Sequence, residues 1–192
     1  MVNLLPKDGI VVLYNNFLSD REATHYLKQL TNNIPWRQDS IKVFGKTHKQ
    51  PRLTSWHAEA GKNLRYSNIT MNALPFTKEL QEINHRLTNF LKTPFNGVLL
   101  NLYRNGEDAM GWHKDNEAEL GKEPTIASIS LGATRDFQFR HDTDKTNRVN
   151  IKLTHGSLVV MSEKTTERWY HQLPRRKRVK DARINLTYRF LI

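Results

Sequence analysis

The chain contains no cysteine. This absence excludes a disulfide framework and a thiolate metal site, so any metal must be held by histidine, aspartate or glutamate. No apolar run is long enough to cross a bilayer, and the first residues lack the basic segment and sustained apolar segment of a signal peptide. We therefore expect no membrane association and an intracellular location, in the cytoplasm if the source is bacterial and with the nucleus as an option if it is eukaryotic.

Acidic residues are scarce relative to basic ones. The sequence has 19 aspartates and glutamates against 30 lysines and arginines, which gives a formal net charge of +11. An excess of this size indicates a polyanionic partner, most commonly nucleic acid, although a basic protein without such a partner is the alternative. The length of 192 residues predicts a single domain over 1–192 that buries its own core, and we expect a monomer.

The first half of the chain, about 1–96, carries the helical patterns. Residues 9–14 predict a short strand, and Ser19 with Glu22 three positions later predicts a helix that begins with a capping box. A second helix is predicted over about 77–92. The apolar faces of the two helices consist of Ala23, Tyr26, Leu27 and Leu30, and of Leu80, Ile83, Leu87, Phe90 and Leu91.

The stretch 36–70 between these helices has no clear period. It is too long for an ordinary connector, so we expect either a functional segment or a set of short hairpins. Its aromatic residues alternate with lysines and arginines, which suits stacking on nucleic-acid bases, although any one of them could be a core residue instead. These aromatics are Trp36, Phe44, Trp56 and Tyr66.

The second half, about 97–192, is a succession of short predicted strands. Turn residues separate the runs VLLNLYR, TIASISLG, DFQFRH, VNIKL, GSLVVMS, ERWYHQL and ARINLTYRFLI. Short strands at this density, with no helical pattern between them, are typical of a sandwich or a barrel. The predicted fold is therefore α+β and mainly β, with the two helices packed on one sheet.

A metal site is predicted from two histidines and one aspartate. His113 and Asp115 stand two positions apart, so extended chain projects both side chains to the same face. His171 follows on a separate predicted strand. These ligands match the facial triad of a non-haem iron(II) oxygenase, which leaves positions open for a co-substrate and O2. A catalytic zinc site and an incidental H-x-D triplet are the alternatives.

The run 183–189 alternates strictly between polar and apolar residues. Its polar members could simply face solvent, with the apolar members in the core. If the polar face instead meets a cavity, Arg183 and Arg189 could bind the two carboxylates of 2-oxoglutarate with planar, bidentate geometry. Asn101 and Tyr103 lie two apart on the strand before H-x-D, so both could face the same cavity and hydrogen-bond the co-substrate.

These segments together resemble the AlkB family of iron(II)- and 2-oxoglutarate-dependent dioxygenases. The similarity rests on N-L-Y at 101–103, H-K-D-N-E at 113–117, S-I-S-L-G at 128–132, F-Q-F at 137–139, His171 and R-I-N-L-T-Y-R at 183–189. The stretch F-G-K-T-H-K-Q-P-R at 44–52, with Tyr66-Ser67, resembles more loosely the substrate-recognition region of the nucleic-acid-repair members. The resemblance implies a double-stranded β-helix, or jelly-roll, catalytic core at about 97–192 and a nucleotide-recognition lid within about 1–96.

The resemblance also implies roles for individual residues. The Fe(II) ligands and catalytic centre would be His113, Asp115 and His171. The residues that bind 2-oxoglutarate would be Asn101, Tyr103, Asn185, Arg183 at the distal carboxylate and Arg189 near the metal-chelating end. Glu117 would contact the exocyclic amine of a flipped base, on which Trp56 could stack. The other candidates for substrate binding are Arg52, Tyr66 and Arg140, the last at phosphates or in the gap left by the base.

The implied activity is the oxidative demethylation of N-alkylated bases, such as 1-methyladenine and 3-methylcytosine, in DNA and with RNA as a further candidate. It is coupled to decarboxylation of 2-oxoglutarate and releases formaldehyde, succinate and CO2. The run 175–180 carries five positive charges in six positions, which favours a single-stranded or base-flipped nucleic acid as partner, with a solvated charge run as the alternative. An AlkB-like dioxygenase with a non-nucleic-acid substrate and a non-catalytic, basic nucleic-acid-binding β-sandwich remain open.

Overall fold

The structure is a computed structural model that describes residues 2–43, 46–66 and 69–192. Its helices are α1 (Asp20–Asn33), α2 (Lys78–Leu91) and the short α3 (Thr165–Arg168), with a 3-10 turn at Ala118–Leu120. Its strands are β1 (Ile10–Tyr14), β2 (Ser40–Val43), β3 (Lys46–Lys49), β4 (Leu53–Ala58), β5 (Leu64–Tyr66), β6 (Ile69–Met71), β7 (Gly97–Tyr103), β8 (Met110–His113), β9 (Ile126–Gly132), β10 (Arg135–His141), β11 (Arg148–Leu153), β12 (Ser157–Ser162), β13 (Trp169–Leu173) and β14 (Arg183–Arg189).

Two antiparallel sheets form the body of the protein. The larger has the strand order β1-β12-β9-β14-β7-β4, and the smaller has the order β11-β10-β13-β8. The chain therefore passes back and forth between the sheets from β7 to β14, which is the jelly-roll arrangement. The predicted α+β, mainly β fold with a double-stranded β-helix core is confirmed. The first half of the chain contributes strands as well, because β1 and β4 lie at the two edges of the larger sheet.

Both long helices begin where the sequence predicts. The Ser19 side chain accepts from the Glu22 amide, and the Glu22 carboxylate accepts from the Ser19 amide at 2.8 Å, which completes the capping box of α1. At α2 the Thr77 side chain accepts from the Leu80 amide, and Lys92 ends that helix in the left-handed conformation at φ 55°. Local side-chain chemistry therefore determines these boundaries.

The two helices cover the outer face of the larger sheet. Ala23 and Leu30 of α1 and Leu80, Ile83 and Leu87 of α2 are buried in one cluster with the sheet. That cluster also includes the apolar members of β14, Ile184, Leu186 and Tyr188. Because neighbouring residues of a strand point to opposite faces, the polar members of β14 must point between the two sheets.

A second core fills most of the space between the sheets. It joins Val159 and Met161 of the larger sheet to Phe139, Ile151 and Trp169 of the smaller one. The outer face of the smaller sheet has no helix packed on it in the described part of the chain. The inner space is therefore apolar at one end, and the polar side chains that face it are gathered at the other.

The stretch 36–70 is built largely of short strands, as expected. The segments β2–β3 and β5–β6 form two small hairpins, and β4 pairs along its whole length with β7. In the second half of the chain, three short elements were not predicted, namely β8, the 3-10 turn at Ala118–Leu120 and α3. β8 has only four residues and includes a glycine, and α3 is a single turn within the run expected to be all strand. No helix in the described ranges is long and apolar enough to cross a membrane.

The position of α2 predicts how its two faces respond to substitution. Leu87 is fully buried against the sheet, whereas Asn89 on the same helix is exposed. Leu87→Ala is expected to lower the free energy of unfolding by about 2–5 kcal/mol because it leaves a cavity in the core. Asn89→Ala should change it by less than about 0.5 kcal/mol. Urea denaturation followed by far-UV circular dichroism measures both, and equal losses would contradict the assigned faces.

Candidate active site

The predicted metal ligands lie together between the ends of two paired strands. His113, at the end of β8, is directly opposite His171 in β13, and Asp115 follows two residues later. The two ring centroids are 4.2 Å apart. Nε2 of His113 lies 3.8 Å from Oδ1 of Asp115, and Nε2 of His171 lies 3.7 Å from Oδ2. One potential ligand atom from each residue thus lies within 4.8 Å of the others.

The ionisation of this cluster suits a cation. Burial lowers the pKa of His113 below its ordinary value and lowers that of His171 to about 3, so both rings are neutral near pH 7. Burial by itself would raise the pKa of Asp115, but the charge and hydrogen bond of Arg189, together with the two neighbouring histidines, lower the pKa to about 2. Two neutral imidazoles and one carboxylate are the protonation states that metal binding requires.

The orientation of the rings suits the same purpose. Nδ1 of His113 lies 2.8 Å from the Gly111 carbonyl, and since a carbonyl only accepts, Nδ1 carries the proton and leaves the Nε2 lone pair free. Nδ1 of His171 is buried and has no hydrogen-bond partner among the described residues. The residues present therefore fit a three-ligand metal centre with open positions, as predicted.

Arg189 joins the larger sheet to the metal cluster. Its guanidinium donates to Oδ1 of Asp115 at 3.0 Å and to Oε1 of Glu117 at 3.3 Å. Both Arg189 and Asp115 are buried. Arg189 thus lies next to the metal ligands, as expected, but two carboxylates of the protein already engage it. It holds the loop after β8 against the end of β14.

The polar face of β14 lines a cavity beside this cluster. The alternation predicted from the sequence is present, but both faces of the strand are buried. The apolar face packs in the core under α1 and α2, the polar face lies between the two sheets, and β7 and β9 pair with the two edges. The alternative in which the polar face meets solvent is therefore wrong. The cavity is lined by Arg52, Leu99, Asn101, Tyr103, Met110, His113, Asp115, Ser128, Phe137, Met161, His171, Leu173, Arg183, Asn185, Thr187 and Arg189.

Arg183 lies in this cavity with neutral partners. Its guanidinium donates to Oγ of Ser130 at 2.8 Å and to Oδ1 of Asn185 at 2.7 Å, and Asn185 in turn donates to Thr187. No carboxylate pairs with Arg183 in the described part of the chain. Its side chain is almost wholly buried, and burial lowers its pKa to about 10. A buried cation without a counter-charge is costly, so this site favours an anion.

Asn101 and Tyr103 of β7 face the same cavity, as the two-residue spacing predicts. Tyr103 is directly opposite Arg183 across the β7–β14 pair, and Asn101 is opposite Asn185. Oδ1 of Asn101 accepts from Nε of Arg52 at 2.8 Å. Arg52 is buried in the wall of this cavity, and its predicted role in substrate binding stays a prediction.

Trp56 does not occupy the expected position. Only 1% of its surface is exposed, and its indole donates to the Lys62 carbonyl at 2.8 Å. The ring packs directly over Gly97, where an added Cβ would lie 2.4 Å from it. This burial contradicts the prediction that Trp56 stacks on a flipped base, because Gly97 of β7 and the chain at Lys62 lie against the ring. It is a core residue.

The other substrate candidates lie outside the triad cavity. Glu117 lines a neighbouring surface depression with Lys114, Lys122 and Thr166, and burial raises the pKa of its carboxyl. Arg140 is on the outer face of the smaller sheet, with its guanidinium 4.7 Å from the Trp112 ring centroid. It faces away from the triad cavity, and its predicted contact with phosphates or with the gap left by a flipped base stays a prediction. The side chain of Tyr66, with Ser67, Phe44 and Gly45, lies outside the described residues.

The basic run 175–180 forms an anchored loop between two strands that line the cavity. The Arg176 amide donates to the Gly106 carbonyl, and the Gly106 amide donates to the Val179 carbonyl. A Cβ at Gly106 would lie 1.8 Å from the Arg176 carbonyl oxygen, so only glycine fits there. Arg176 also pairs with Asp136. The other basic side chains of the loop are exposed, namely Arg175, Lys177, Arg178 and Lys180.

Some residues of the cavity wall carry no obvious sequence signal. Ser128 and Ser130 of β9 lie opposite Thr187 and Asn185, and both belong to the hydrogen-bonded network around Arg183. Their two-residue spacing within S-I-S-L-G matches that of the β14 polar face, but it becomes informative only once the two strands are known to pair.

Comparison with known proteins agrees with this geometry. Residues 10–189 match the family described as the 2OG-Fe(II) oxygenase superfamily. The chain is 38% identical to human "Alpha-ketoglutarate-dependent dioxygenase alkB homolog 3", covering 93% of this chain and 65% of that protein. It is 35% identical to mouse "DNA oxidative demethylase ALKBH2", covering 98% of this chain and 83% of that protein. The chain thus spans just under two thirds of the first of these relatives.

The fold comparison gives the same architecture. The solved structure of OsALKBH1 superposes with a TM-score of 0.61 at 17% identity, covering 93% of this chain and 97% of that one. A 2OG-Fe(II) oxygenase family oxidoreductase from Burkholderia pseudomallei superposes with a TM-score of 0.59 at 14% identity, covering 93% and 84% of the two chains. At these identities the likeness concerns the fold alone.

The role of Arg189 at the cluster can be tested by stability. Arg189→Met leaves the buried carboxylates of Asp115 and Glu117 without their shared cation. In a chelating buffer this variant is expected to lose about 3–5 kcal/mol of unfolding free energy. The exposed Arg178→Met should stay within about 0.5 kcal/mol of the wild type. Urea denaturation measures both variants. If Arg189→Met is as stable as the wild type, the contacts of Arg189 with Asp115 and Glu117 do not stabilise the fold.

Proposed function

Because the chain belongs to the 2OG-Fe(II) oxygenase superfamily, and within it to the AlkB family, we propose that it oxidatively demethylates N-alkylated bases in nucleic acid. Bases such as 1-methyladenine and 3-methylcytosine are the expected substrates, in DNA and with RNA as a second candidate. Formaldehyde, succinate and CO2 would be the products. The protein would act as a monomer inside the cell, with one domain that carries both the catalytic core and the nucleotide-recognition lid.

The proposed assignments follow the contacts in the cavity. His113, Asp115 and His171 would hold Fe(II). Arg183 would bind the distal carboxylate of 2-oxoglutarate, supported by hydrogen bonds from a wall of polar residues, Asn101, Tyr103, Ser130 and Asn185. Bound Fe(II) and 2-oxoglutarate together supply the activation of O2 and the oxidation of the methyl carbon.

One observation carries this proposal most directly. Arg183 is a buried guanidinium that faces the same cavity as the three metal ligands and has only neutral hydrogen-bond partners in the described chain. A carboxylate is the ligand that a planar, permanently charged fork binds best. A dicarboxylate that reaches from Arg183 to the metal ligands would place one carboxylate at the guanidinium and the other at the metal.

The residues of the chain position and shield the reaction. The Gly111 carbonyl fixes the His113 ring with Nε2 toward the cavity. Arg189 keeps Asp115 ionised and oriented through its 3.0 Å hydrogen bond. Phe137, Met110 and Leu173 form an apolar part of the wall that limits the access of water. Product formation then needs only that the hydroxylated methyl group leave the base nitrogen as formaldehyde.

A nucleic-acid substrate is supported by the charge of the surface. The exposed side chains of the 175–180 loop lie on an anchored backbone, and Arg140 is held over Trp112. Such groups contact phosphates and give affinity without sequence choice. The Glu117 carboxylate, next to the metal cluster, is proposed to accept from the exocyclic amine of the base. A base in a duplex would have to be flipped to reach the cavity.

The two alternative functions agree less well with the observations. A non-catalytic β-sandwich disagrees with the family match and with a buried cluster that has one ligand atom from each of His113, Asp115 and His171 within 4.8 Å. A dioxygenase with a small-molecule or protein substrate leaves the exposed basic loop unexplained.

Turnover tests the activity directly. With Fe(II), 2-oxoglutarate and O2, an oligonucleotide that carries 1-methyladenine or 3-methylcytosine should lose the mass of one CH2 unit, because hydrogen replaces the methyl group, and should release formaldehyde. Asp115→Ala should abolish turnover and weaken Mn(II) binding by more than the about 10- to 100-fold typical of outer-shell changes. Asp20→Ala, a carboxylate 94% exposed, is the matched control and should behave as wild type. Intact metal binding without turnover on any methylated DNA or RNA would reject the proposal.

Salt dependence tests the basic loop. Lys177→Ala and Arg178→Ala should each weaken single-strand binding, and each should reduce the slope of log affinity against log salt by about 0.7 for one lost phosphate contact. Arg176→Ala should change the slope less, because Asp136 already pairs with that guanidinium. Lys28→Ala, exposed on α1, is the control. Fluorescence anisotropy measures all four, and an unchanged slope in the loop variants would show that nucleic acid binds elsewhere.

A further inference from the structure

Arg135 is a buried arginine at the start of β10 that no step of the proposed reaction uses. Only 1% of its surface is exposed. It is on the inner face of the smaller sheet, in line with Phe137 and Phe139. Burying a guanidinium is costly unless its donors are satisfied, so the contacts that it makes in this position indicate what it does.

The guanidinium of Arg135 is hydrogen-bonded to two loops. It donates to the carbonyls of Asn105 at 3.2 Å, Asp108 at 2.9 Å and Pro174 at 2.8 Å. The first two carbonyls belong to the loop between β7 and β8, and Pro174 directly follows β13. β8 and β13 carry the two histidines of the metal cluster. One side chain therefore determines the spacing of the loops that adjoin both histidine strands.

Arg135 also contacts Tyr103, which lines the co-substrate cavity. Its guanidinium carbon lies 5.8 Å from the Tyr103 ring centroid, and that of Arg183 lies 5.4 Å from it. The two arginines come from different sheets, Arg135 from the smaller and Arg183 from the larger. The ring thus attracts a cation from each sheet. Burial lowers the pKa of Arg183, and the charge of Arg135 lowers it further, so the two cations add to one positive potential.

We propose that Arg135 is a positioning residue of the co-substrate pocket and helps to set its affinity for a dicarboxylate. It acts through Tyr103 and through the loop carbonyls, and it touches neither the metal cluster nor the co-substrate. By holding the β7–β8 loop it fixes the Tyr103 ring beside Arg183. This inference rests on the proposed binding of 2-oxoglutarate by Arg183. Lysine cannot replace Arg135 fully, because an ammonium lacks the planar fork that reaches carbonyls in two loops.

Titration of 2-oxoglutarate into the Mn(II)-loaded protein tests this inference. Arg135→Met should raise the Kd for 2-oxoglutarate by about tenfold or more, as expected for the loss of charge-assisted contacts. Arg135→Lys keeps the charge and should fall between the wild type and Arg135→Met. In turnover, the KM for 2-oxoglutarate should rise while kcat at saturation and the KM for the oligonucleotide stay within about twofold. A loss of folded protein would lower the stoichiometry and leave the Kd unchanged, so misfolding cannot imitate the result.

The controls separate this inference from the proposed function. Arg148→Met removes an exposed arginine from β11, the strand next to Arg135, and should leave the Kd unchanged. Arg183→Met should abolish the binding of 2-oxoglutarate. If the wild type binds 2-oxoglutarate and Arg183→Met does not, the proposed function is supported, but this result by itself says nothing about Arg135. If Arg135→Met and Arg135→Lys then bind 2-oxoglutarate as tightly as the wild type, the role of Arg135 is overturned and the function stands. If Arg135→Met does not fold, the Arg135→Lys titration is the test: a raised Kd supports the role of Arg135, and a wild-type Kd overturns it.

Discussion

The site depends on the burial of β14 on both of its faces. β14 lies between β7 and β9, which pair with both of its edges, and all seven of its residues are buried, so its two faces are also closed to water. The apolar half of its alternation packs under the helices, and the polar half has to point between the sheets. Two guanidinium groups are thereby forced into a low-dielectric space, where each needs an anionic or hydrogen-bonding partner. The chemistry of the cavity follows from how that need is met.

Arg183 and Arg189 find different kinds of partner, so the two ends of the cavity differ chemically. Arg189 pairs with Asp115 and Glu117, which brings the loop of the smaller sheet to the end of the larger one and keeps a metal ligand ionised. Among the described residues, the hydrogen-bond acceptors of Arg183 are a hydroxyl oxygen and an amide oxygen, and its guanidinium also lies over the Tyr103 ring. Arg189 therefore joins the two sheets through ion pairs, while the charge of Arg183 stays available to a ligand. Arg135, from the facing sheet, supports the second arrangement through Tyr103.

Several expectations were wrong or incomplete for reasons of packing. An aromatic residue in a lysine- and arginine-rich stretch has the composition of a stacking platform, but Trp56 faces inward on a strand that pairs with β7, so it fills the core. The basic loop has the expected charge, yet Arg176 is paired and Gly106 anchors the backbone. Arg140 lies on the outer sheet face, so it does not reach the cavity.

The features that can be read from the sequence alone are local or chemical. The capping box at Ser19, the alternation of β14 and the ligand types of the metal cluster follow from neighbours in the chain, and all are present in the structure. The apolar stripe of α2 is present at Leu80, Ile83 and Leu87, but Phe90, which was predicted to belong to it, is 49% exposed. Only the tertiary structure decided which face of β14 is a cavity, that Ser128 and Ser130 support Arg183, and that Arg135 joins two loops. Each of these depends on partners far away in the sequence, whose pairing determines whether a polar side chain meets water, a counter-charge or a ligand.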